Sequence, residues 1–68
     1  MALSARNHLK GEVTEVVLGT VTALITVKVG ENVVESVITK HSAKEMKLKK
    51  GDKVTAVIKA TEVMIQKD

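Results

Sequence analysis

Hydrophobic and polar positions alternate along most of this chain, and the clearest run covers residues 20–29. Val21, Ala23, Ile25, Val27 and Val29 fall on one face and Thr20, Thr22, Thr26 and Lys28 on the other, a period of two that predicts a half-buried strand. Gly30-Glu31-Asn32 supplies a short turn, so residues 33–39 are expected to return as the antiparallel partner in a hairpin. Upstream, residues 9–18 carry Val13, Thr14, Val16 and Val17, with Gly11 near the start marking a bulge or a close backbone approach, and Gly19 ends that strand. The period changes at His41. Ser42 followed three residues later by Glu45 has the form of a capping box, and Ala, Lys, Glu, Met and Leu favour helix, so one or two turns should start at Ser42. Lys49-Lys50-Gly51-Asp52 then closes the helix and turns the chain. Alternation resumes over residues 53–60, with Val54, Ala56, Ile58 and Ala60 on one face, and residues 61–66 read as a final strand through Val63 and Ile65. Leu24 and Val57 interrupt otherwise polar faces, as a subunit contact would.

Four or five strands with one short helix between the third and fourth is the order of a small Greek-key barrel of the OB type, an all-β fold. Val, Ile and Thr dominate and proline is absent, which agrees. Length makes residues 1–68 one domain, and a chain of this size buries only about 60% of its unfolded surface. With no cysteine and no aromatic residue to reinforce so small a core, oligomerisation is the expected support. No segment approaches the roughly 18 apolar residues of a membrane span, and the N-terminus lacks the apolar run of a secretory signal, so a cytoplasmic protein without a membrane partner is expected.

The net charge of +3 is spread along the chain apart from Lys44, Lys47, Lys49 and Lys50, which suit a solvated helix and turn. An enzyme is not expected: His8 and His41 have no evident base partner, and there is neither a cysteine nucleophile nor a paired carboxylate set. The same inventory gives a poor metal-ligand list, and the singly placed glycines make no phosphate loop. Two segments stand out for their donors. Ser4-Ala5-Arg6-Asn7 and Lys59-Ala60-Thr61 each hold a cation and at least one hydroxyl, and neither holds a carboxylate, a set suited to a compact anion. Thr39 and Ser42 add a hydroxyl pair where a strand meets the helix. On spacing alone an ordinary solvated surface is the favoured reading of these segments, with Ser42 a helix cap worth about 1 kcal/mol. A single-stranded nucleic-acid-binding barrel is the alternative, but such proteins stack bases on aromatic side chains and this chain has none.

The ordered set Ser4-Ala5-Arg6-Asn7, Gly11, Val13, Val16, Gly19, Val21, Ala23, Thr39-Lys40-His41-Ser42, Leu48, Gly51, Val54 and Ile58-Lys59-Ala60-Thr61 resembles the molbindin family across nearly the whole chain. Molbindins are small cytoplasmic molybdate-binding proteins made of a single Mop-type domain. The resemblance implies an OB-like barrel, a homohexamer built as a trimer of dimers, no cofactor, and molybdate or tungstate held at subunit interfaces for storage or buffering. Carried over by position, Ser4, the Ala5 amide, Arg6, Lys59, Ala60 and Thr61 would line the site, with Thr39 and Ser42 as a contributing hydroxyl pair. Two departures are visible: Thr61 stands where serine is usual, keeping the hydroxyl, and Lys47 replaces a usual glycine after the helix.

Overall fold

The computed structural model describes residues 2–68. Strands β1 (Asn7–Leu18), β2 (Thr22–Val29) and β3 (Asn32–Thr39) form a meander. Helix α1 (Lys40–Glu45) follows, then β4 (Lys53–Ile58) and a single 3-10 turn (Ala60–Glu62). The sheet order is β3-β2-β1-β4, all antiparallel, so the fourth strand returns to lie beside the first, the Greek-key arrangement of an OB-like barrel.

Strand β1 organises the rest because its 12 residues are enough for two partners. Its first half, Asn7 to Glu12, pairs with β4, and its second half, Glu12 to Leu18, pairs with β2. Glu12 belongs to both ladders, opposite Lys28 on one side and Lys53 on the other. In the β2 ladder the register steps from Val13↔Val27 to Glu15↔Thr26, which leaves Thr14 as a bulge and bends the strand. The glycine signal at Gly11 thus marks a close approach: a Cβ there would sit 2.5 Å from the Lys28 carbonyl oxygen. The bulge itself falls three residues later, at a threonine that nothing in the pattern distinguishes.

The alternation read over residues 20–29 holds within β2 but not at Val21, which precedes the strand and is 71% exposed. Ala23, Ile25 and Val27 are buried with Val13 and Ala43, and Val16, Val29, Ile38, Leu48 and Val54 pack around them. Val29↔Asn32 closes the hairpin, so the turn is Gly30-Glu31 alone, with Gly30 at φ 61°. Glycine at the first turn position with positive φ matches the hairpin twist without a Cβ clash.

The strands start within two residues of the reading, β1 at Asn7 rather than residue 9 and β2 at Thr22 rather than residue 20, and three further boundaries differ from it. First, the helix begins at Lys40, not Ser42: the Thr39 hydroxyl accepts the Ser42 backbone N–H at 3.0 Å, which makes Thr39 the N-cap and places Ser42 inside the first turn. Glu45 therefore cannot close a box with Ser42 and instead approaches His41 at 3.7 Å. Second, the helix ends at Glu45 with Leu48 N–H bonded to the Ala43 carbonyl (3.1 Å) and Lys47 N–H to the Lys44 carbonyl (3.0 Å). This pair of bonds is a Schellman motif, and it puts Lys47 at φ 52°, the left-handed position that glycine usually fills. Third, β4 stops at Ile58, and residues 61–66 are not a strand; Met64 and Ile65 are 93% and 90% exposed. The physical reason is the length of β1. The β1–β4 ladder ends at Asn7↔Ile58, where β1 begins, so no further edge of the same strand is there to receive the tail.

The two edge strands, β3 and β4, are not bonded to each other. They flank an apolar slot of about 350 Å³ lined by Val34, Ile38, Met46, Leu48, Ala56 and Ile58. On the opposite face of the sheet, Leu24 lies between its register partners Val17 and Val37, both about half exposed or more, so the apolar break in the polar face is a row across three strands. Val57 is likewise exposed, opposite His8.

Candidate functional site

The β1–β4 ladder explains how two segments more than fifty positions apart become neighbours. Asn7↔Ile58 is its last rung, so Arg6 and Lys59 are the next residue on each side, with Ala5 and Ser4 beyond one and Ala60 and Thr61 beyond the other. Asn7 reinforces the rung by donating from Nδ2 to the Ile58 carbonyl at 3.3 Å. The Ala5 carbonyl lies 3.3 Å from His8 Nε2, an arrangement in which the ring nitrogen donates. Arg6, Lys59, Ala60 and Thr61 are exposed, as is Ser4, while Ala5 is partly covered. Lys59 is still extended, and after it the chain enters the 3-10 turn over Ala60–Glu62, so the ladder does not continue past Ile58.

Arg6 and Lys59 bring two cations to this end, and Glu62 in the 3-10 turn brings one exposed carboxylate. The carboxylates in ion pairs among the described residues are Glu45, Asp52 and Glu12, and their partners are His41, Lys49 and Lys53, not Arg6 or Lys59. The two carboxylates with displaced acidity also lie elsewhere. A hydrogen bond from Lys53, reinforced by its charge, holds Glu12 below the usual carboxylate range, and side-chain and backbone hydrogen bonds from Lys49 do the same to Asp52.

Thr39 and Ser42 meet where β3 runs into α1. Thr39 Oγ1 accepts from the Ser42 amide and donates to Ser42 Oγ at 2.9 Å, so the proton of the Thr39 hydroxyl is committed. Ser42 Oγ then keeps its own proton for an external acceptor. This pair is not beside Arg6 and Lys59. Thr39 pairs with Thr22, next to the Leu18↔Ala23 rung, at the far end of β1 from Asn7. At about 3.3 Å per residue, β1 is on the order of 35 Å long before bending, and 35 Å is also the longest dimension of the chain. The structure therefore brings Ser4, Ala5, Arg6, Lys59, Ala60 and Thr61 to one pole and Thr39 with Ser42 to the other.

Two residues of this region have roles the sequence did not disclose. Thr39 is the helix cap, and the available signal was a capping residue type three positions before Ser42 at a strand end. Asn7 is a cross-strand donor, and no local pattern announces a bond to a residue 51 positions away. A second concavity, on the outer face around Lys10, Lys28, Lys53 and Thr55, has the Glu12 carboxylate in its wall and is less suited to an anion. No group of three or more His, Asp or Glu side chains among the described residues is arranged to hold a metal ion, and no helix of those residues is long and apolar enough to cross a membrane.

Comparison with known proteins agrees with this architecture. The TOBE domain family model matches residues 3–65. Molybdenum-pterin-binding protein 1 of Clostridium pasteurianum is 44% identical over 66 residues, 96% of this chain and 97% of that protein. Among solved structures, a molybdate-binding protein from Sporomusa ovata superposes with a TM-score of 0.94 at 42% identity, covering 98% of this chain and all of the other. The cytoplasmic molybdate-binding protein ModG, solved with molybdate bound, matches 88% of this chain with a TM-score of 0.83 at 39% identity, over 43% of its own length. With sequence and backbone matching over nearly its full length, the chain belongs to the TOBE domain family and, within it, to the molbindins, the single Mop-type domains.

Proposed function

We propose that residues 1–68 form one oxyanion-binding unit that reversibly holds molybdate or tungstate, as a store or buffer in the cytoplasm, and performs no chemistry on it. The observation that carries this reading is the end of the β1–β4 ladder, where Arg6 and Lys59 directly flank the last rung of two adjacent strands, with hydroxyl residues next in sequence and no carboxylate paired to either cation among the described residues. No carboxylate belongs to this set, so apart from its hydroxyls it only donates. Molybdate and tungstate are fully deprotonated tetrahedral dianions at neutral pH and can take every donor, whereas phosphate keeps a proton that must compete for a hydroxyl lone pair, a penalty of about 1–3 kcal/mol where it stays unpaired. Sulfate has no such proton, so it must be rejected by size. The similar proteins whose names mention a pterin do not alter this reading, because this chain has no aromatic side chain on which a pterin ring would stack.

On the same reading the site lies between chains. Arg6 with Lys59 and Thr39 with Ser42 occupy opposite poles of one chain, so a site using both groups takes one pole from each of two copies. Self-association has further support in Val63, Met64 and Ile65, which are exposed apolar residues, and in the uncovered slot between β3 and β4. A homohexamer arranged as a trimer of dimers is the assembly we propose. Titration calorimetry with molybdate, repeated in excess sulfate and phosphate and paired with a mass measurement in solution, tests it. Heat of binding that survives both competitors in an oligomer is the expected result; a monomer that gives no heat with molybdate overturns it.

A further inference from the structure

Asn7 closes the N-terminal quartet yet lies outside the set of oxyanion donors. It is half-buried, on the face of β1 that carries Gly11 and Val13, while Arg6 falls on the opposite face by the alternation of a strand. Its Nδ2–H donates to the carbonyl of Ile58, and that carbonyl belongs to the peptide leading into Lys59. We propose that Asn7 is a positioning residue that fixes the separation of Arg6 and Lys59 and thereby selects the oxyanion by size.

This role rests on the oxyanion reading above and on where the ladder stops. Beyond Asn7↔Ile58 the two segments have no further rung, and after Lys59 the β4 side passes into a 3-10 turn. Two cations at the mouth of a fraying ladder would close on whatever anion arrives, small or large, because nothing sets the gap. A side-chain bond across the last rung, made from the covered face, holds the gap from behind while leaving the donors free in front. A cleft held at a fixed width suits the larger tetrahedron of molybdate and cannot contract fully on sulfate. Asparagine fits this position because its short amide reaches a cross-strand carbonyl and brings no charge to compete with the ligand.

Competition calorimetry on the full chain tests this, with sulfate displaced by molybdate in wild type, Asn7→Leu and Asn7→Gln. Asn7→Leu keeps the volume and removes the donor, so the ratio of molybdate to sulfate affinity is expected to fall about threefold to tenfold. Asn7→Gln, with a donor on a longer arm, should recover part of that ratio, which a purely structural role would not require. Should Asn7→Leu fail to fold, Asn7→Ser, too short to reach Ile58, is expected to show the same fall. A ratio unchanged in a folded variant, or no recovery with Gln, overturns the role of Asn7 while leaving the oxyanion reading intact. Wild-type protein that takes up neither anion overturns both.

Discussion

On the proposed function, the two poles of β1 would solve different halves of one recognition problem. At the Asn7 pole the groups are long, charged and exposed, and they owe their proximity to a ladder between residues distant in sequence. At the Thr39 pole the groups are short, neutral and fixed by a local turn, with one hydroxyl orienting the other. Charge draws a dianion in, but flexible cations alone define no shape. Fixed hydroxyls define shape but hold a dianion weakly. On that reading neither pole is a complete site, and the 12 residues of β1 keep them apart within one chain.

The charged pole should be the more sensitive of the two. Arg6→Ala or Lys59→Ala is expected to lower molybdate affinity by about tenfold to a hundredfold, the range for a lost hydrogen bond to a charged group, as read by calorimetry. Ser42→Ala, which removes the uncommitted hydroxyl proton at the other pole, should cost about threefold to tenfold in the same measurement. Unfolding Arg6→Ala and Ser42→Ala chains together and refolding the mixture asks whether the poles cooperate across copies: sites shared between chains would restore wild-type affinity at roughly a quarter of the sites, and sites within one chain would leave every site weakened.

Smaller effects concern the scaffold. Lys47→Gly relieves a side chain from the left-handed position of the Schellman motif and should stabilise the fold by about 1 kcal/mol, visible as a rise in thermal midpoint. The smallest belongs to Glu12, whose carboxyl is held below the usual range by Lys53. A depressed folded-state value means that the pair contributes above the unfolded value near 4.5 and that the contribution fades as pH falls through the lower, folded value. Glu12→Gln should therefore be slightly less stable than wild type at pH 7 and indistinguishable from it at about pH 2, by thermal denaturation at the two pH values.

How much of this is legible in the sequence follows the range of the interactions. The face of β2 can be read directly, since Ala23, Ile25 and Val27 announce their burial by alternation alone. The start of α1 lies two residues before the position that the Ser42 signal marks, because Ser42 and Thr39 are both good caps and only the strand end decides between them. The tail departs from its pattern for the opposite reason: Val63 and Ile65 have the spacing of a strand, but a strand needs an edge, and the β1 edge is used up at Asn7. Composition and spacing flag the donor segments as chemistry without showing that one ladder unites two of them and separates them from the third. The bond from Asn7 to Ile58 lies beyond local pattern altogether.

The sharing of β1 between two ladders has a dynamic consequence. Only around Glu12 and Val13 is that strand bonded on both edges, through β2 on one side and through β4 and the Gly51-Asp52 turn on the other. Amide hydrogen exchange should be slowest at this midpoint and quicken toward both ends, less at Asn7, whose side-chain bond to Ile58 ties the last rung, than at Leu18. An anion clasped between the ends of two copies would slow exchange there further, so occupancy and assembly would tighten together.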